Sequence, residues 1–245
     1  MVLTPDDIHQ LFIVKRTQVE MLADREFLIP DDETDMFLDH PAVLQPTAEL
    51  YAQFVQKYIP QEARMFSREE MTQTYADKNE KLTYVYYAPP TIKDKQGVGI
   101  VNAFINSLTT LGAEFGIIIT KEGFTPDARK ALDAITQPVI QVFFDHQLYS
   151  NPINHVLVPR HTRLDDEKRR NILVKYKLQP RQILTISIDD PVIRYYGWSI
   201  GDLIHISRLN LGTDKTMVKS SLAYRIVSRV KFDVEKKTTK AKVTT

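Results

Sequence analysis

The chain has 245 residues, of which 43% are hydrophobic and 26% charged, and its formal net charge is +1. This length suits two domains, and the apolar fraction is large enough to form a buried core. The sequence has no cysteine, which excludes disulfides, thiolate metal sites and a cysteine nucleophile. The first residues lack the pattern of a signal peptide, and no apolar run is long enough to span a bilayer. We therefore expect a soluble intracellular protein that does not contact a membrane.

Charge is distributed unevenly along the chain. Residues 1–70 carry 14 acidic and 6 basic side chains, residues 71–228 carry 15 and 20, and residues 229–245 carry 2 and 6. Such segregation permits one surface to meet nucleic acid while another stays acidic, although most charge runs are simply solvated surface. Residues 229–245 have too few apolar side chains to fold, which predicts a flexible basic tail.

The first predicted helix begins at Thr4, which is followed by a proline at the first helical position. Asp7 lies three residues after Thr4 and forms a variant of the capping box. Apolar residues then recur at helical spacing as far as Leu22, which predicts an amphipathic helix that packs on a core.

The next segments differ in the spacing of their apolar residues. Residues 30–48 are acidic and contain prolines, which predicts a loop, and residues 50–58 have the spacing of an amphipathic helix. The aromatic and β-branched run at 82–87 predicts a strand. A second apolar stripe at 101–111 predicts a helix that ends at Gly112.

A strand–helix–strand pattern follows. The run at 114–120 is apolar throughout, which is typical of a strand that is buried on both faces. Thr125 and Pro126 then begin a helix as N-cap and first helical residue, and residues 138–144 form another predicted strand. This order predicts right-handed crossovers and a largely parallel sheet.

A linker is predicted at 149–154, before a second and smaller pattern. Its helices begin with acidic residues, and the second is capped by Asp189 or Asp190 and ends at Gly197. The predicted elements are a strand, two short helices and two strands joined by a long loop, at 155–164, 165–178, 189–197, 202–208 and 221–228.

The sequence contains no recognisable catalytic or cofactor motif. The glycine pair at Gly97 and Gly99 lacks the third glycine of a dinucleotide fingerprint. The triplet Asp166-Glu167-Lys168 has the letters of a nuclease metal site, but acidic residues in the first turn of a helix stabilise its dipole without a catalytic role. We therefore predict no catalytic residue, no metal and no cofactor. A nuclease-like α/β enzyme and a stand-alone nucleic-acid-binding adaptor remain as alternatives.

The second half of the chain resembles the C-terminal domain of the fifth subunit shared by eukaryotic nuclear RNA polymerases, a domain with a counterpart in the archaeal RNA polymerase. The matching motifs span some 75 residues in the family's order. They are H-x-L-V-P-x-H at 155–161, Y-K-L at 176–178, D-P-V-x-R-Y-x-G at 190–197, Gly201 and Y-R-I-V at 224–227.

The first half resembles the same family more faintly. The matches are D-R-x-F-x-I at 24–29, V-G-I at 98–100, G-I-I-I at 116–119 and T-P-x-A at 125–128. Since archaeal members lack this N-terminal domain, the resemblance favours the eukaryotic type. It implies an α/β fold (mixed α+β) with a three-layer-like N-terminal jaw domain over 1–147. A small α/β assembly domain with a mixed sheet and two short helices follows over 148–228.

The resemblance implies a non-catalytic subunit of a DNA-dependent RNA polymerase in the nucleus, or in the nucleolus if it serves polymerase I. In the family, the C-terminal domain docks on the largest subunit, and the N-terminal domain forms part of the lower jaw near downstream DNA. Carried over by position, Thr125 and Pro126 are the DNA-proximal pair, and we add the flanking cations Lys121, Arg129 and Lys130 because their charge suits phosphate. The partner-interface residues are His155, Val158, Pro159, His161, Asp190, Pro191, Arg194, Tyr195, Gly197, Gly201, Tyr224 and Arg225.

One substitution weakens the expected DNA contact. A helix N-terminus suits a phosphate, but this chain has Asp127 where the family commonly has serine. That carboxylate satisfies the helix dipole itself and repels a close phosphate. We therefore expect a weak, sequence-independent and salt-dependent attraction to duplex DNA.

Overall fold

The computed structural model describes residues 4–38, 47–59, 67–91, 95–211 and 218–229. Its chain divides into two compact units, Met1–Asn151 (unit 1) and Pro152–Thr245 (unit 2). The tail predicted over 229–245 lies outside the described residues beyond Arg229.

Unit 1 contains a four-stranded sheet with the order β1-β2-β4-β6. Strands β2, β4 and β6 are parallel and β1 is antiparallel to β2, so the largely parallel sheet is confirmed. A second, two-stranded parallel ribbon joins β3 to β5. The strands are β1 Gln73–Ala76, β2 Leu82–Tyr87, β3 Lys95–Gln96, β4 Phe115–Thr120, β5 Gly123–Phe124 and β6 Val139–Phe144.

Helices cover both faces of this sheet. On one face, α4 and α5 form a core with Ile118 of β4, built around Phe104, Leu108 and Ala128. On the other, the Tyr87 hydroxyl donates to Gln18 of α1 at 3.2 Å. The helices of unit 1 are α1 Pro5–Asp24, α2 Asp31–Glu33, α3 Ala48–Tyr58, α4 Val98–Leu111 and α5 Pro126–Asp133.

The local signals for helix ends are confirmed. Thr4 and Asp7 form a complete capping box at α1, and Thr125 caps α5. Gly112 ends α4 with φ of 63°, in the left-handed region that favours glycine.

The loop predicted at 30–48 is wrong for its first part. The segment Asp31–Glu33 is α-helical and continues as a π-helix over Thr34–Leu38, whereas residues 39–46 lie outside the described part of the chain. Phe37 is buried, with its ring centroid 5.4 Å from that of Phe12. Tertiary packing therefore organises a segment that composition alone assigns to solvent.

Unit 2 contains a mixed sheet with the order β7-β9-β10-β8. Strands β7, β9 and β10 are antiparallel neighbours, and β8 joins β10 in parallel. The α/β class predicted for the chain is thereby confirmed. The elements are β7 Arg160–Arg163, α6 Asp166–Tyr176, β8 Thr185–Ser187, α7 Pro191–Tyr196, β9 Leu203–Leu211 and β10 Val218–Ser228.

Two predictions in unit 2 need correction. The strand expected over 155–164 covers only Arg160–Arg163, because Pro159 has no N–H for a ladder and the Val158 N–H donates to the His155 carbonyl in a turn. The long loop expected between 208 and 221 is wrong at both ends, where β9 and β10 continue their antiparallel pairing as far as Leu211 and Val218. Its middle, residues 212–217, lies outside the described part of the chain.

Candidate nucleic-acid edge and partner surface

The first helical turn of α5 is held by its cap and by the β3–β5 ribbon. The Thr125 hydroxyl accepts a hydrogen bond from the Ala128 N–H at 3.3 Å, and the Thr125 N–H donates to the Gln96 carbonyl at 2.9 Å. Ala128 is fully buried and packs in the core beside α4. The start of α5 is therefore fixed in position while its outer side stays open to solvent.

The cationic side chains predicted near DNA are exposed. Arg129 and Lys130 follow the exposed Pro126 by three and four residues, so all three share one side of α5. Neither Arg129 nor Lys130 forms an ion pair with another described residue. Asp127 is exposed in the same first turn. With two exposed cations and one carboxylate, the start of α5 suits a long-range attraction to phosphate better than a close contact.

Lys121 precedes the start of α5 in the sequence and also lies near the start of α1, which has the same Thr-Pro-Asp sequence. It is exposed and directly follows β4. Hydrogen bonds from Thr4 lower the pKa of Asp7 at the start of α1, and the charge of Lys121 lowers it further. The start of α1 and Lys121 therefore lie near each other, which sequence spacing could not show.

In unit 2, four of the predicted partner residues lie close together. His161 Nδ1–H donates to the Pro159 carbonyl at 2.7 Å. Burial lowers the pKa of His161, the nearby charges of Arg208 and Arg225 act in the same direction, and Asp190 opposes them. His161, Asp190, Arg208 and Arg225 are therefore near enough to interact electrostatically, and we call them the mixed-charge cluster. Sequence reasoning missed Arg208, which lies on the same sheet face as His161 because Ile206 of β9 is paired with His161.

Helix α7 begins at this cluster, because Asp190 is its N-cap. The Asp190 carboxylate accepts the Val192 N–H at 2.9 Å, and Gly197 ends the helix with φ of 67°. Pro191 is exposed and Arg194 is half-buried, with a pKa that burial lowers. Tyr195, in contrast, is 2% exposed and belongs to the core of its own unit.

The remaining predicted partner residues are dispersed. Tyr224 points to the opposite sheet face from Arg225, since neighbouring strand residues alternate, and its ring lies 5.4 Å from that of His205. Gly201 is a turn residue with φ of 95°, whose N–H donates to the Val227 carbonyl at 2.9 Å.

The turn before β7 is an exposed apolar surface that the sequence did not predict. His155 is exposed and its Nδ1 accepts the Leu157 N–H at 3.2 Å. The next two side chains, Val156 and Leu157, are 94% and 83% exposed, while Val158 is half-buried. A strand prediction assigned these apolar residues to a sheet. The turn exposes them instead, and exposed apolar side chains of this kind are available to a partner.

The acidic triplet at 166–168 has a structural explanation. It occupies the first turn of α6, where Lys168 pairs with the capping Asp165 at 2.9 Å. Within the described ranges, no three His, Asp or Glu side chains are close enough together to hold a metal ion. None of the described helices is long and apolar enough to cross a membrane.

Comparison with known proteins identifies the relatives of this chain. Residues 150–227 match the family model described as RNA polymerase Rpb5, C-terminal domain. The chain is 30% identical over 207 residues to the subunit rpabc1 of DNA-directed RNA polymerases I, II, and III from Dictyostelium discoideum, covering 83% of this chain and 92% of the relative. It is 26% identical over 203 residues to RPABC1 from Caenorhabditis elegans, covering 82% and 90%.

The similarity covers both units and not the C-terminal unit alone, since it extends over far more of the chain than residues 150–227. The chain therefore belongs to the Rpb5 family of DNA-directed RNA polymerase subunits, which confirms the sequence-based interpretation of a non-catalytic, structural polymerase subunit.

Proposed function

We propose that unit 2 docks the chain on the largest polymerase subunit, and that unit 1 forms part of the lower jaw beside downstream DNA. The observation that carries this proposal is the similarity to RPABC1 subunits over 83% of the chain, because it spans both the predicted jaw and the predicted assembly domain. The named relatives belong to polymerases I, II and III. Because these are the nuclear polymerases, the compartment we propose for this chain is the nucleus.

For the docking surface, we propose the mixed-charge cluster of His161, Asp190, Arg208 and Arg225 together with the exposed Val156–Leu157 turn. The cluster offers two guanidinium groups and a carboxylate, and the turn offers apolar area. Protein–protein interfaces combine an apolar centre with a polar rim, and this side of unit 2 supplies both. Tyr195 acts from the interior by holding α7 in place.

For the DNA edge, we propose that Lys121, Arg129 and Lys130 attract the phosphate backbone without reading its sequence. Their exposure supports this role, because lysine and arginine side chains bind backbone phosphates without regard to base sequence. Thr125 and Pro126 hold the helix start in place, and Asp127 limits how closely a phosphate approaches.

Affinity purification of the tagged full chain, followed by mass spectrometry, tests the assembly. We expect the two large polymerase subunits in stoichiometric amounts, and their identities will show which polymerase the chain serves. Monomeric chain without any large subunit would contradict the proposal. Replacing Leu157 by aspartate should reduce recovery of the largest subunit, while the same change at the exposed Leu28 of unit 1 should not.

Crosslinking of the assembled polymerase to downstream duplex DNA tests the jaw separately. The triple variant Lys121→Ala, Arg129→Ala and Lys130→Ala should lower the crosslinking yield, with the largest loss at low salt. A double variant of the exposed Lys78 and Lys81, which lie near the start of β4 and not near its end, serves as the control. If both variants crosslink as well as the unchanged enzyme, the proposed DNA contact is wrong, while the proposed docking of unit 2 is unaffected.

A further inference from the structure

The longest strand pair of unit 2 extends beyond the rest of its sheet. Strands β9 and β10 stay paired as far as Leu211 and Val218. In contrast, β7 pairs with β9 only as far as Ser207, and β8 pairs only with the last three residues of β10. Residues 208–211 and 218–221 therefore form a two-stranded ribbon, which we call the β9–β10 arm. No third strand of the described chain joins this arm, and a two-stranded ribbon alone is only marginally stable in water.

The alternation of backbone groups along β9 shows which of them have no partner in the arm. The Leu164 N–H donates to the Leu203 carbonyl, so Leu203 presents its N–H and C=O to β7. Neighbouring residues of an antiparallel strand present these groups to opposite sides. Leu209 and Leu211 therefore present theirs to the same side as Leu203, at a level where no described strand lies beside β9. We call these backbone groups the open edge of β9.

The open edge of β9 adjoins the surface proposed to dock on the largest subunit. Arg160 of β7 lies opposite Ser207, and the two strands are antiparallel, so the chain before Arg160 runs toward the arm. It leaves the ladder at Pro159, which has no N–H, and forms the exposed Val156–Leu157 turn. Arg208 of the mixed-charge cluster directly precedes the open edge on β9. Both parts of the proposed docking surface therefore border this edge.

The other edge of the arm differs in its surroundings. The Ile226 N–H donates to the Leu184 carbonyl before β8, so Ile226 presents its backbone groups to the β8 side. By the same alternation, Ser220 and Val218 present theirs to that side. This edge is also unpaired among the described strands, but it lies across the arm from β7 and from the Val156–Leu157 turn. It therefore supplies a matched control for the open edge of β9.

We infer that an extended segment of the largest polymerase subunit pairs with the open edge of β9 and adds a strand to the sheet of unit 2. The inference rests on the proposed docking of unit 2 and specifies its chemistry. Unpaired N–H and C=O groups at strand spacing are complementary to another extended backbone. A partner helix has no free backbone groups along its length to pair with them. The added strand would continue the line of β7, which Pro159 interrupts.

Hydrogen–deuterium exchange of backbone amides tests the inference directly. The free full chain is compared with the same chain in the purified polymerase. We expect the amides of Leu209 and Leu211 to exchange about ten-fold more slowly in the assembled enzyme, because they gain hydrogen-bond acceptors there. The amides of Val218 and Ser220 should exchange at nearly the same rate in both samples, because their edge lies on the other side of the arm.

A pair of proline variants tests the same hydrogen bonds by mutation. Leu209 and Ser220 lie opposite each other in the arm, and the N–H of each points away from the other strand. Leu209→Pro removes one N–H from the open edge of β9 and should lower recovery of the largest subunit in affinity purification about five-fold. Ser220→Pro removes the equivalent N–H from the other edge and should preserve recovery. Circular dichroism of both variants confirms that they are folded.

Two results would overturn the inference. One is equal exchange of the Leu209 and Leu211 amides in the free and assembled chain, which does not depend on the folding of any variant. The other is protection of Val218 and Ser220 in place of Leu209 and Leu211. In either case, a loss of recovery with Leu157→Asp would still support docking of unit 2. If the unchanged chain recovers no large subunit, the proposed docking itself is wrong, and the inference with it.

Discussion

The Nζ atom of Lys15 lies 3.0 Å from Oε1 of Glu33, and both side chains are fully buried. The ammonium also donates to Gln18, Gln73 and the Tyr75 hydroxyl, at 2.9–3.0 Å. Burial lowers the pKa of Lys15 to about 8, while the charge of Glu33 opposes this change. The pair joins α1 to the helical segment at 31–38 and, through Tyr75, to β1, so it ties together parts of the chain that have no local reason to meet.

Replacing Lys15 by methionine should lower the free energy of unfolding by about 3–5 kcal/mol, because the buried Glu33 loses its nearer cation and keeps only Lys57, whose Nζ is 3.9 Å away. Adding Glu33→Gln should recover much of this loss, since the double variant buries no charge. Urea unfolding followed by far-UV circular dichroism measures both. The control is Lys81→Met, whose pair with Glu114 is exposed and should leave the free energy of unfolding nearly unchanged. Equal losses for Lys15→Met and Lys81→Met would contradict the role assigned to the buried pair.

Gly116 allows α4 to pack closely on β4. A Cβ atom there would lie 2.6 Å from Phe104 Cζ and 2.8 Å from Leu108 Cδ1. Gly116→Ala should therefore lower the melting temperature, with an overpacking cost of about 1–3 kcal/mol. Gly99→Ala is the matched control, because no atom lies within 4 Å of its Cβ position in the same helix–sheet layer. That change should be neutral or stabilise by up to about 1 kcal/mol. A stable Gly116→Ala variant would show that Phe104 and Leu108 move aside at little cost.

His161 should make the stability of unit 2 depend on pH. Burial lowers its pKa from 6.5 in the folded chain, so as the pH falls through that value the unfolded chain takes up a proton before the folded chain does. The free energy of unfolding is therefore greatest above this window and decreases as the pH falls. Fluorescence of Trp198, the only tryptophan of the chain, follows unfolding of unit 2 between about pH 7.5 and 5.

His161→Gln should flatten this pH dependence, because glutamine can still donate to the Pro159 carbonyl but does not titrate. The exposed His155 supplies the control, and His155→Gln should preserve the slope. An unchanged slope in His161→Gln would assign the pH dependence to another group.

Asp127→Ser should increase crosslinking of the assembled polymerase to downstream DNA by about two-fold or more at low salt, because it removes a negative charge beside the cations of α5. Asp133→Asn removes the same charge from the exposed C-terminal end of that helix and should have a smaller effect. If Asp127→Ser leaves the yield unchanged in low salt, the N-terminal turn of α5 does not approach DNA.

Much of the local structure follows directly from neighbouring residues. The caps at Thr4, Thr125 and Asp190 were predictable because a side-chain oxygen reaches an N–H only two or three residues away. The helix ends at Gly112 and Gly197 were predictable for a similar reason, since a left-handed residue favours glycine. These local signals do not indicate a function, which was predicted from the family motifs instead.

The failed predictions share a physical cause. Strands β1 and β8 are short and carry weak periodicity, so only pairing with β2 and β10 makes them strands. The exposed turn at Val156 and Leu157 has the composition of a strand but not its hydrogen-bonding partners. In each case the backbone conformation depends on residues that are distant in the sequence.

The sequence by itself determined the class of the fold, the helix boundaries that depend on caps, and membership in a polymerase subunit family. Only the tertiary structure decided that acidic Glu33 is a core residue, that Tyr195 lies inside while Arg208 joins His161, and that α6 leaves apolar side chains exposed. The reason is that burying a carboxylate is costly unless a cation and hydrogen-bond donors lie beside it, and Lys15 and Tyr75 reach Glu33 from other elements of the fold. The sequence shows that both charged residues are present, but not that they are in contact in the folded chain.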